Sequence, residues 1–203
     1  MNLEARQVTF SYGGKKGTPV LKDVSITLRS GERVGIKAPS GQGKTTLCRI
    51  LSGYERPHRG EVLLDGKALR EYGNPCPVQM VWQHPETVVD PRLPLGVTLS
   101  EGAVPDPRML QALHIRENWF TRYPAELSGG ELQRFCLARA LHPSVRFLLC
   151  DEISAMLDLV TQAQIWDFLL QEAQQRDLGL LVVSHSDDLL DRVCTKIVTL
   201  PGI

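Results

Sequence analysis

Two apolar rhythms alternate along this chain. LEARQVTFSY (3–12) and VLKDVSITL (20–28) alternate or carry β-branched residues and predict antiparallel strands. GERVGI (31–36) predicts a short strand, with GEVLLDG (60–66) and VQMVWQ (78–83) as further candidates. RFLLCDE (146–152) reads as a buried strand ending in two carboxylates, GLLVVSH (179–185) as another, apolar one buried on both faces, and KIVTL (196–200) closes the series. Helical spacing appears in TTLCRILSG (45–53), where Gly53 predicts the stop. It returns in SGGELQRFCLARALH (128–142), where Ser128 is a predicted N-cap and Glu131, three residues on, completes a capping box. Leu132, Phe135, Cys136 and Ala140 then share a face. A third helix is predicted over 160–175, with Val160, Ala163, Trp166, Leu169 and Ala173 recurring at spacing three to four. Strands alternating with helices predict an α/β fold, a mainly parallel sheet covered on both faces.

Residues 84–127 break this rhythm. They are rich in proline, carry short helical pieces such as PRMLQALHI and lack a clear strand. We read them, with the helix that follows, as a helical subdomain over 84–140 inserted in a single domain spanning 1–203. The length of 203 residues and the 42% hydrophobic content suffice for one substantial core. The 23 basic and 23 acidic side chains cancel, which argues against nucleic acid as a partner. Cys48, Cys76, Cys136, Cys150 and Cys194 lie far apart with no CxxC pair, so they read as small apolar thiols in a reducing compartment. The start MNLEARQVTF has no signal-peptide pattern, and no 18-residue apolar window exists. A cytoplasmic location is the expectation.

KAPSGQGKTT (37–46) joins a predicted strand to a predicted helix. A chain turning sharply from a buried strand into a helix aims free backbone N–H groups, and the positive end of the helix dipole, at one spot. Gly41 and Gly43 let that backbone approach an oxyanion closely. With Ser40, Gln42 and Thr46 around them, Lys44 would supply charge to the β- and γ-phosphates of a nucleotide. The Thr45 hydroxyl would ligate Mg2+. Ala38 stands where this phosphate-loop pattern has its first glycine, which requires only that φ at 38 be negative. Asp151 and Glu152 end a buried strand at the edge where open parallel sheets bind ligands. Asp151 could hold Mg2+ directly or through water, and Glu152 could polarise the attacking water.

With LSGGE (127–131) added, the chain resembles the ATP-binding subunits of ABC transporters, from Tyr12 to about Gly202 and in the family order. FSY offers Tyr12 as the aromatic that stacks on adenine, and APSGQGKTT is the Walker A loop. VWQHP places Gln83 in the Q-loop, as a further metal contact. LSGGE is the signature, with Glu131 where Gln is commoner. FLLCDE is Walker B, AMLD places Asp158 in the D-loop, and VVSH makes His185 the switch histidine. Ile153 replaces a frequent proline. The resemblance implies a P-loop ATPase core with an antiparallel β subdomain and a small helical insertion. It also implies Mg2+ and two ATP molecules sandwiched between two subunits, where Ser128, Gly129 and Gly130 of each complete the other's site.

ETVVDPRLPLGVTLSE and DEISAMLDLVTQAQIWDFL further resemble the peptide and nickel importer group, including its nickel-type members. That implies a second ATPase subunit, two integral membrane subunits docking on the inserted segment, an extracytoplasmic binding protein, and a peripheral position on the inner face of the cell membrane. Two other readings stay open: a soluble ABC ATPase acting on DNA or ribosomes, and an interaction subunit with a degenerate site. Neutral charge opposes the first; intact Lys44, Glu152 and His185 oppose the second.

Overall fold

The computed structural model describes residues 1–14, 17–101, 103–104 and 106–200, and two sheets form among them. The first is four-stranded and antiparallel. β1 (Asn2–Phe10) runs between β2 (Leu21–Arg29) and β4 (Arg59–Leu64), and β5 (Lys67–Ala68) extends the β4 edge. The second is five-stranded and parallel, in the order β6 (Val78–Val81), β7 (Phe147–Asp151), β8 (Gly179–Val183), β3 (Arg33–Lys37), β9 (Lys196–Thr199). Every residue of β7 and β8 is buried. Their unbroken apolar runs mark strands covered on both faces.

Two cores flank the parallel sheet. One packs the antiparallel sheet and α1 (Lys44–Leu51) against it through Leu3, Leu28, Leu47 and Phe147. The other packs α4 (Gly129–Ala140) and α5 (Leu159–Arg176) on the opposite side through Phe135, Leu148, Trp166 and Leu169. Side chains of successive strand residues point to opposite faces, so Leu148 and Leu149 serve different cores.

Between 84 and 127 the described residues form short helices and no strand: α2 (Leu95–Ser100), α3 (Pro107–Ala112) and 3-10 turns. Asp106 caps α3 by accepting from the Arg108 N–H at 2.8 Å. α6 (Asp187–Val193) was not anticipated, being too short to display a period. Gly53 stands just past the Ser52 cap of α1 with φ +81°, as the predicted stop requires.

One apolar series does not pack as a unit. On α5, Val160 is 67% exposed and Ala163 is also exposed, while Ile165 and Phe168 join Trp166, Leu169 and Ala173 inside. Steps of three residues drift around a helix of 3.6 residues per turn, so Val160 lies on the side opposite Leu169 and faces solvent, with Ala163 beside it. On α4 the predicted face is buried, and Gln133, Leu137 and Ala138 are buried too, because the helix packs between the sheet and α2. The cysteines are free; Cys48, Cys136 and Cys150 are buried. Burial pushes the Cys136 thiol up to about 11, which keeps it protonated and inert. No helix among the described residues is long and apolar enough to cross a membrane. Gly202, where the resemblance ends, lies outside the described residues.

Candidate nucleotide site

β3 delivers the chain to the carboxyl edge of the parallel sheet, and residues 38–43 turn it into α1. Gly41 (φ +80°) and Gly43 (φ +78°) take the left-handed backbone of that turn, and Ala38 does not. A Cβ on Gly43 would stand 2.7 Å from the Val20 carbonyl oxygen and from Leu21 Cδ2, so only glycine fits. Ser40 and Gly41 are exposed at the tip, with Gln42 half-buried behind them. Lys44 is buried, and its Nζ donates to the carbonyls of Ala38 (2.8 Å) and Pro39 (3.1 Å), centring the charge in the loop.

Neighbouring strands bring the distant residues to the same edge. Asp151 ends β7 beside α1 and is 2% exposed. Burial pushes its carboxyl up. The Thr45 hydroxyl, Arg49 and Lys44 pull it down, and the Glu152 charge pushes it up further. Its Oδ1 is buried without a hydrogen-bond partner. An orphaned acceptor of this kind, beside a threonine hydroxyl at a phosphate loop, fits a divalent cation.

Glu152 follows with φ +51°, outside the strand conformation. Both its carboxylate oxygens are held. His185 Nε2 lies 2.9 Å from Oε1, and Gln83 Nε2 donates to Oε2 at 3.1 Å. The structure thus joins three residues that the chain keeps 69 and 33 positions apart. The Glu152 side chain is 14% exposed and that of His185 is 52% exposed.

Tyr12 stands at the loop's flank. Its hydroxyl is 3.2 Å from Thr46 Oγ1, Phe10 meets its ring edge-on at 5.0 Å, and it is 49% exposed. One face therefore remains open for stacking. Arg49 was missed by sequence reading. It lies one helical turn after Thr45, donates to the Tyr12 hydroxyl at 3.4 Å and sits 5.0 Å over the Trp82 ring. The i, i+4 spacing from Thr45 is the signal that could have found it.

Ser128, Gly129, Gly130 and Asp158 are not brought to that loop. They line a separate cavity of about 590 Å3. Ser128 caps α4, its hydroxyl accepting from the Glu131 N–H at 3.3 Å, while Glu131 accepts from the Ser128 N–H at 2.9 Å. Asp158 caps α5 by accepting from the Val160 and Thr161 N–H groups at 3.0 Å each. Another cavity, of about 710 Å3, lies elsewhere, at the far ends of α4 and α5.

A glycine turn opening a helix, a buried lysine at its centre and two carboxylates at the carboxyl edge of a parallel sheet define a P-loop nucleotide-binding protein. Comparison with known proteins narrows this. Residues 21–155 match the ABC transporter family model. The chain is 32% identical to the nickel import ATP-binding protein NikE of Shigella boydii over 98% of this chain and 83% of that protein. The nickel import system ATP-binding protein NikE of Staphylococcus aureus is also 32% identical, over 98% and 86%. The ATP-binding cassette MJ0796, solved as a dimer in a post-hydrolysis state bound to ADP and Pi, superposes with a TM-score of 0.83 at 25% identity, covering 98% of this chain and 94% of that one. The chain belongs to the ABC transporter family, as one of its ATP-binding, ATP-hydrolysing subunits.

Proposed function

We propose that this subunit powers import of nickel, a metal chelate or short peptides, pairing with a second ATPase subunit on two integral membrane subunits at the inner face of the cell membrane. An extracytoplasmic binding protein would deliver the cargo. The full-length likeness to nickel import subunits supports nickel first. Net charge near zero gives no reason to expect nucleic acid.

The observation that carries the chemistry is the grip of Gln83 and His185 on Glu152, at the same sheet edge as Lys44 and Asp151. In this reading Tyr12 stacks on adenine, and Ser40, Gly41, Gln42, Gly43 and Thr46 surround the phosphates with N–H and hydroxyl donors. Lys44 turns from its own loop carbonyls to the β- and γ-phosphates. Bound Mg2+ would offset phosphate charge, held by Thr45 and Asp151 with Gln83 beside them. Glu152 accepts a proton from water at one carboxylate oxygen while His185 and Gln83 fix its direction and register the γ-phosphate. Ser128, Gly129 and Gly130 of the second subunit close the far side, with Asp158 at the seam.

The test is turnover and uptake in the assembled transporter. Glu152→Gln should bind Mg-ATP and barely turn over, and Lys44→Ala should lose binding. Removing one such contact costs about 2.7–4 kcal/mol of transition-state stabilisation, two to three decades in rate. Wild-type-like turnover in Glu152→Gln rejects the assigned base. Absence of ATP-dependent uptake of Ni2+, of a metal chelate and of short peptides alike rejects the cargo.

A further inference from the structure

We propose that Arg134 is a positioning residue that locks the SGG turn to the start of α5, so that the surface offered to the second subunit's nucleotide moves as one piece. The inference deepens the proposed function and rests on its two-subunit site.

Arg134 lies one turn beyond Gly130 on α4. Its guanidinium finds no carboxylate within ion-pair distance among the described residues. Instead, Nη1 donates to the Leu113 carbonyl at 2.9 Å, and Nη2 donates to Gln164 Oε1 at 3.1 Å and Thr161 Oγ1 at 3.4 Å. One planar group therefore ties three stretches together: the end of α3 in the inserted segment, the signature helix and α5. A fork of fixed geometry does this, and a lysine, with one nitrogen, cannot span the same acceptors.

A second contact reinforces the first. A Cβ on Gly130 would stand 3.2 Å from Leu157 and 3.7 Å from the Thr161 methyl, so the turn lies directly on the stretch leading into α5. Thr161 is shared: its N–H donates to Asp158 and its hydroxyl accepts from Arg134. Ser128 and Asp158, each capping its own helix, are thereby held at a set spacing. Burial of the guanidinium, which pulls its pKa down, raises the cost of leaving any of these bonds unmade.

The same spacing explains how Glu131 can stand where an amide is commoner. Its carboxylate is turned back onto the Ser128 N–H, and Arg134 is near enough to offset its charge. The SGG donors thus stay available to an anion from outside.

The experiment compares wild type, Arg134→Ala, Arg134→Lys and Gln164→Ala by Mg-ATP affinity, turnover and amide hydrogen exchange. In Arg134→Ala, turnover should fall about ten- to a hundredfold, with Mg-ATP affinity within about twofold. Exchange should rise together in residues 128–134 and 157–164 and stay unchanged in 44–51. Arg134→Lys should recover part of the turnover, and Gln164→Ala should show the same exchange pattern more weakly. Turnover within about twofold of wild type, parallel loss of affinity, or a rise in exchange in one segment only overturns the proposal. Wild type that binds ATP without hydrolysing it would instead count against the proposed function, and the exchange pattern would still decide the role of Arg134.

Discussion

A carboxylate at the end of a fully buried strand is costly to keep charged, and Asp151 carries that cost with one oxygen unpartnered. Cost of this kind persists at a site that needs the charge. Asp151→Asn should raise the melting temperature of the metal-free protein, by about 2–4 °C for each kcal/mol of relief in a chain of this size, while turnover falls. Differential scanning fluorimetry beside an ATPase assay checks both, and an unchanged or lower Tm counts against burial as the dominant influence on this group. Gly43 makes the converse point. Its left-handed backbone and the 2.7 Å approach of Val20 and Leu21 leave no space for a methyl group. Gly43→Ala should therefore lose nucleotide binding and at least about 1 kcal/mol of stability, seen by titration and urea denaturation. Both residues were legible beforehand, because a loop glycine and a strand-end acid declare themselves locally. The clasp on Glu152 was not. Its partners lie far away in sequence, and only the order of β6, β7 and β8 in the sheet places Gln83 and His185 on either side.

Helices and strands were readable where a period meets its own burial. β7, β8 and the capped start of α4 are of this kind. α5 shows how a period misleads. Val160 and Ala163 sit three residues apart in the apolar series, yet steps of three drift around the helix, so they end on the solvent side while Ile165, Phe168 and Leu169 face the core. Arg134 and Gln133 were missed because their partners, Leu113 with α5 and the Trp82 carbonyl, belong to other elements. The inserted segment carries its own staple at DPR (90–92). Arg92 donates to Asp90 through side chain and backbone, and holds that carboxyl down to about 2. A depressed carboxyl stabilises the fold above its ordinary value near 3.8, and that contribution disappears as pH falls to about 2. Wild type should exceed Asp90→Asn slightly in urea stability at neutral pH, and the gap should close through that acid window. The pair is solvent-exposed, so the gap is small. A gap that widens in acid contradicts the assignment.

Across the molecule, the two helix starts assigned to nucleotide in the proposed function face different places. One opens α1, with Lys44 at its centre. The other opens α4, in a cavity shared with the start of α5. A single chain keeps them apart; in a pair of chains each can serve the other. The fold class and the order of motifs were readable from the chain, and the separation of the two sites followed from folding. Sedimentation velocity of Glu152→Gln, alone and mixed with a second ATPase subunit of the same transporter, tests this pairing most directly. Mg-ATP should produce a species of two chains' mass in one of those samples; Mg-ADP should not, and a Ser128→Arg change should abolish it. Protein that binds Mg-ATP yet stays monomeric in both samples would contradict the shared site.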